Sequence, residues 1–197
     1  IYNLGSVILQ SSINALGSVY IAAQVGGRKL AELFYVPGIA LGTSAATFSS
    51  QNYGAGKHSR IAKGAKSGIF MYFCWWLVAL AFVIFLAPAA VRFITGSSNP
   101  EVIANGALYL RIGIPMIPPM AVLVILRNIL QGMRRPGMPL FCSCLELIGK
   151  VIFALWLVPA FGYLAVCICE PVTWVICCVV IAVAVFAIRG EFTDRHI

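Results

Sequence analysis

The chain has 197 residues, of which 61% are hydrophobic and only 10% charged, with a formal net charge of +8. A water-soluble domain carries about a quarter charged residues, so this composition excludes an ordinary soluble globule and points to lipid as the solvent. The excess of Lys and Arg excludes a nucleic-acid surface as well, because the bases lie in the gaps between apolar runs instead of forming one patch.

Charge-free runs at 1–27, 33–56, 67–91, 112–126, 151–169 and 171–188 reach or approach the length, about 20 residues, that crosses a bilayer as helix. They predict an all-α integral membrane protein with a bundle of six spans, at about 1–24, 31–53, 66–90, 102–130, 138–159 and 163–188. The chain opens on Ile1 in sequence that is already apolar, with no recognisable signal peptide, and reads as a fragment beginning inside a span.

The first connection is expected at Val25-Gly26-Gly27-Arg28-Lys29, a short turn. The second span is broken near its start by Pro37-Gly38 and padded with Gly42, Thr43, Ser44, Ala45 and Ala46, small residues that let another helix approach closely. Tyr53-Gly54-Ala55-Gly56 then turns the chain, and Lys57, Arg60, Lys63 and Lys66 follow at three-residue spacing as one basic helical stripe. The third connection is polar and uncharged, and Pro100-Glu101 reads as a helix start.

The fourth span holds Pro115, Pro118 and Pro119. Each removes a backbone donor, and in lipid such a break survives only where it is buried or lines a cavity. With Pro37 these are the candidate hinge positions, a static packing bend being the alternative. Arg134 and Arg135 mark the next connection, and Pro159-Ala160-Phe161-Gly162 allows only a hairpin. Lys57, Arg60, Lys63, Lys66, Arg134, Arg135, Arg189 and Arg195 fall on one side, against Arg28, Lys29 and Arg92 on the other. The heavier side, with the C-terminus, is therefore expected in the cytoplasm of a multi-pass plasma-membrane protein.

Seven cysteines lie mostly inside apolar runs, where C-x-C pairs face different sides of a helix; they read as packing residues, with no metal site. Four ionisable residues are more telling. Arg111, Glu146, Lys150 and Glu170 sit deep in apolar sequence and sum to zero. A lone charge at mid-bilayer costs a few kcal/mol or more, so the four are expected to face the bundle interior and neutralise one another, with Glu146 four residues before Lys150 in the order that favours an ion pair. They are the candidates for a proton or ion relay, with structural glue between helices as the other reading.

These residues carry a family resemblance. The run from Pro37-Gly38-Ile39-Ala40-Leu41-Gly42 to Gln51-Asn52-Tyr53-Gly54-Ala55-Gly56-Lys57 resembles the second span of the carboxyl lobe in MATE multidrug efflux transporters. Ala22-Ala23-Gln24, Leu126-Arg127-Asn128-Ile129-Leu130-Gln131-Gly132, and Pro136 with Pro139 resemble the same family in the same order. The resemblance implies one six-helix lobe of a twelve-helix transporter, whose N-terminal lobe is missing from this chain. It implies export of amphipathic or cationic compounds in exchange for protons or, less favoured, sodium, with the ion gradient in place of a cofactor. Gln24 matches a cavity-lining glutamine of related transporters, and Tyr35 and Gln51 complete the implied substrate-contact set. Acids of sodium-coupled members are absent from the first and fourth spans, which resembles the DinF-like branch. The alternatives are a flippase for lipid-linked precursors and a non-transporting membrane scaffold. An enzyme is not expected, since no span holds a His or an Asp to serve a nucleophile.

Overall fold

A computed structural model describes residues 2–188 and 190, and all regular structure in that range is helical. Arg189 and Arg195, counted above toward orientation, lie outside the described residues. Helix α1 (Tyr2–Leu16) stops at Gly17, whose φ of 111° suits glycine and strains any L side chain. Helix α2 (Ser18–Gly54) then runs 37 residues without interruption, about 55 Å at the usual rise.

The turn expected at residues 25–29 is therefore corrected: the chain reverses at Gly17, and Arg28 and Lys29 lie inside α2. Gly26 and Gly27 are packing residues. A Cβ on Gly26 would stand 2.3 Å from Cγ2 of Thr95, and one on Gly27 would stand 3.2 Å from the Gly106 carbonyl oxygen. Helices in lipid meet closely where side chains are missing, and that close approach explains both glycines.

Helix α3 (His58–Thr95) returns along α2 and ends on Gly96 in the left-handed region. Helix α4 (Pro100–Gly113) opens on Asn99, whose side-chain oxygen accepts the Glu101 N–H at 2.9 Å, with Pro100 in the first turn where its missing donor costs nothing. A single 3₁₀ turn, Ile114–Met116, leads into α5 (Ile117–Gly132). Helix α6 (Gly137–Ile152) passes through a π segment, Phe153–Leu157, into the short α7 (Val158–Phe161). Gly162, at φ 61°, turns the chain into α8 (Tyr163–Ala187). With α4–α5 and α6–α7 each taken as one interrupted rod, the described residues cross the body six times.

The prolines act at these interruptions. Pro115 lies in the 3₁₀ turn, and Pro118 and Pro119 lie in the first turn of α5. Pro118 has no N–H for the Ile114 carbonyl, and the Trp76 indole donates there instead at 3.0 Å. Pro37 sits inside α2, where the neighbouring Trp75 indole donates to the Phe34 carbonyl at 3.0 Å. Two adjacent tryptophans of α3 thus donate to carbonyls beside both proline sites, and the break expected at Pro37-Gly38 is corrected, since α2 continues through it. Gly38 lies against Tyr72, whose ring a Cβ would meet at 2.4 Å.

The outer walls are apolar. Phe85 is 80% exposed, Phe93 87% and Trp156 70%. His58–Thr95, Pro100–Gly132, Gly137–Phe161 and Tyr163–Ala187 are each long and apolar enough to cross a membrane. Such walls belong in hydrocarbon, and the chain is an integral membrane protein.

Candidate functional site

Lys150, near the end of α6, is 3% exposed. Its Nζ lies 3.8 Å from Glu170 Oε1 of α8 and donates to Ser6 Oγ of α1 at 3.0 Å. Gly5 leaves room for the lysine stem, because a Cβ there would stand 3.0 Å from Lys150 Cδ. Tyr109 of α4 donates to Glu170 Oε2 at 3.4 Å. The π segment begins three residues after Lys150, and Ser12 donates to the Ala154 carbonyl within it at 3.0 Å. A π turn re-aims the helix beyond it, and such turns recur at functional sites.

Ser6, Gln24, Arg28, Tyr109 and Glu170 face one narrow polar cleft between α1, α2, α4 and α8. Counted from Gly17 and Gly162, Gln24, Arg28 and Glu170 lie about 10–16 Å inside that end of the bundle. Gln24 is 5% exposed, and its Oε1 accepts from the Tyr163 hydroxyl at 3.1 Å. Arg28 bonds Glu32 Oε1 through Nε at 3.1 Å and attracts Glu170 across the cleft.

A second charged cluster lies toward the other end. Arg127 of α5 bonds both carboxylate oxygens of Glu146 of α6, at 3.2 and 3.4 Å, and also donates to Ser143 Oγ and to the Pro139 carbonyl. Beside it, Cys142 and Cys177 each turn a thiol toward the other's carbonyl oxygen.

The structure thus brings Lys150 and Glu170 together but divides the expected four-charge layer. Arg111 is corrected: it is exposed, on the α4 stripe shared with Glu101, Ala104 and Leu108. Depth along a helix does not fix the face, and at about 100° per residue the buried Tyr109 and Leu110 leave Arg111 pointing outward. Glu146 pairs with Arg127 and not with Lys150. Among the expected substrate contacts, Gln24 lines the cleft. Tyr35 lies three turns further along α2, edge-on to Trp174 at 5.6 Å. Gln51 is exposed near the far end of α2, about 40 Å from Gln24 and about seven and a half turns on, which puts it on the opposite face.

Arg28, Tyr109 and Ser6 join the site without having been expected there, and Arg127 replaces Arg111 as a neutralising partner. For Arg28 a signal existed. Glu32 stands four residues later, the spacing of a helical ion pair, which argues for a helix continuing through Gly26-Gly27.

Two solved structures share this fold at 16% sequence identity. One, a crystal structure of a MATE mutant, matches 98% of this chain and 43% of its own with a TM-score of 0.82. The other, an outward-facing multidrug resistance MATE family transporter of the MOP superfamily, matches 99% of this chain and 43% of its own with a TM-score of 0.71. The chain therefore spans less than half the length of the proteins it resembles. No curated protein sequence matches it significantly. The MatE family model matches residues 1–156, most of the chain, and with a helical body that superimposes on two such transporters the chain belongs to the MatE family.

Proposed function

We propose that the chain is one six-helix lobe of a secondary-active multidrug exporter, which moves amphipathic or cationic compounds outward in exchange for protons, with sodium less favoured. The neighbour described as a multidrug resistance transporter supports the substrate range. The observation that carries the mechanism is the loosely held Glu170: its partners stand at 3.8 and 3.4 Å, and it faces a polar cleft with Gln24. A carboxylate with long, exchangeable contacts can change partner or protonation as the cleft opens and closes, whereas a fully bonded one cannot. Sodium wants several oxygen ligands around it, and the lysine and arginine facing Glu170 disfavour a bound cation. Alternating access would come from rocking of this lobe against a second lobe, with the Ile114–Met116 break and Pro37 as sites of local bending. The basic end, with Lys57, Arg60, Lys63 and Lys66, would face the cytoplasm of the plasma membrane.

Dye efflux from vesicles holding the full-length protein tests this. Efflux driven by an imposed pH gradient and indifferent to sodium is the expected result. Absence of efflux under either gradient overturns the reading.

A further inference from the structure

Two arginines stand in the apolar outer wall, at the end of the bundle opposite Lys57, Arg60, Lys63 and Lys66. Arg92 lies in the last turn of α3, and Arg111 lies about 16 Å in along α4 from Pro100. Both are exposed, and among the described residues neither side chain has a hydrogen bond or ion pair. A bare guanidinium in hydrocarbon is costly and is stabilised by water or by an anion. The two line one open groove between α3 and α4. Pro88, Ile103, Leu108 and Arg111 border a space of about 630 Å³, and Pro88, Ile103, Arg92 and Phe93 border an adjoining space of about 670 Å³. Each volume is in the range of a ligand site. A Cβ on Gly106 would stand 2.7 Å from Val91 Cγ1, so Gly106 of α4 and Val91 of α3 share a depth. Arg92 is one residue outward of that level and Arg111 five residues inward, an offset of about 9 Å along the groove. Side chains lean toward the N-terminus of their own helix. Helix α3 runs outward and α4 inward, so Arg92 leans inward, Arg111 leans outward, and two like charges converge on the same stretch of groove. Such a pair repels unless an anion lies between its members. Glu101, the acid of α4, borders neither space and leans outward, away from both.

We propose that this groove holds one anionic phospholipid of the leaflet opposite the basic stripe, its phosphate between Arg92 and Arg111 and an acyl chain along Pro88, Ile103 and Leu108. The planar guanidinium fork matches phosphate oxygens. Arg111 reaches up toward head-group level, as long basic side chains in a membrane do. A zwitterionic lipid would bring its own cation to the same place and leave one arginine less well neutralised. Bases near any membrane surface attract anionic lipid. The specific feature here is the convergence of two of them on one apolar groove. Nothing in the proposal requires transport, so it stands apart from the exporter reading.

The test uses the full-length protein with the photo-crosslinker p-benzoylphenylalanine in place of the exposed Phe93, a groove residue. It is placed in nanodiscs of equal phosphatidylglycerol and phosphatidylcholine with identical chains. After irradiation, mass spectrometry reads what is joined to position 93. Phosphatidylglycerol adducts should exceed phosphatidylcholine adducts at least about tenfold, since one base near anionic lipid is worth about fivefold. Arg92→Gln and Arg111→Gln should each lower that ratio about fivefold, and the double variant should bring it close to one. Lys57→Gln with Lys63→Gln, at the other end, should leave it unchanged. Unfolding temperatures in phosphatidylcholine alone check that every variant folds. Equal labelling by the two lipids in the parent, or a ratio unchanged in the double arginine variant, overturns the proposal. So does an equal fall in the lysine variant, which would show general surface attraction, or an adduct to a second lobe or another copy of the protein, which would show that protein covers the groove.

Discussion

Arg127–Glu146 and Lys150–Glu170 are both interhelical ion pairs in apolar surroundings, and they share α6, yet they are built differently. Arg127 spends its fork on both oxygens of Glu146 and on two further acceptors. Glu146 is 5% exposed, Arg127 keeps 22% of its side chain exposed, and the pair lies beside a cluster of Leu123, Leu130, Cys142, Cys177 and Ile181. Lys150 and Glu170 are 3.8 Å apart, share their contacts with Ser6 and Tyr109, and open on a cleft. The first arrangement is a bolt between α5 and α6. The second is held by fewer and longer bonds. Burial of charge alone does not separate the two roles; the number and length of the remaining bonds does.

The comparison breaks most visibly at Arg127. Arg127→Met leaves Glu146 charged, buried and unpaired, and should cost about 3–5 kcal/mol, read as a drop in thermal unfolding temperature. Adding Glu146→Leu should recover most of that loss, since removing both partners leaves an apolar contact; a double variant as unstable as the single one would show that the pair is more than a bolt. Next in size, Gly38→Ala forces a Cβ to 2.4 Å from the Tyr72 ring and should cost about 1–3 kcal/mol by overpacking, measured the same way. Because α2 runs past Gly38 from the cleft toward the far end of the bundle, the same variant should also alter transport per folded molecule. Trp76→Phe removes one donor from the Ile114 carbonyl and should cost about 1 kcal/mol. Smallest of all, Arg111→Gln should stay within about 0.5 kcal/mol of the parent, because the side chain is exposed and outside both pairs.

Helical character, membrane residence and the positions of most turns were legible because apolar length and proline placement are one-dimensional signals. Azimuth was not. Arg111 and Lys150 sit at similar depths, but one points outward and the other toward Glu170, and only the faces of α4 and α6 decide that. Gly26-Gly27 looked like a turn because glycine serves both for reversal and for close packing. The choice depended on Thr95 and Gly106, about 70 and 80 residues away in sequence. Arg28 was therefore placed in a loop and its role in the cleft missed. Lys150–Glu170 was legible because the tight hairpin at Gly162 runs α8 back beside α6, bringing residues within about a turn of the same depth into reach of each other.

The most direct measurement sets Glu170→Gln beside the Arg127→Met, Glu146→Leu double variant, scoring each for unfolding temperature and for gradient-driven efflux per folded molecule. The account predicts that Glu170→Gln, which leaves the buried Lys150 without its counter-charge, costs about 3–5 kcal/mol and loses coupled efflux per folded molecule, while the double variant keeps efflux. Efflux at the parental rate in Glu170→Gln, with efflux abolished in a stably folded double variant, would reverse the two roles and contradict it.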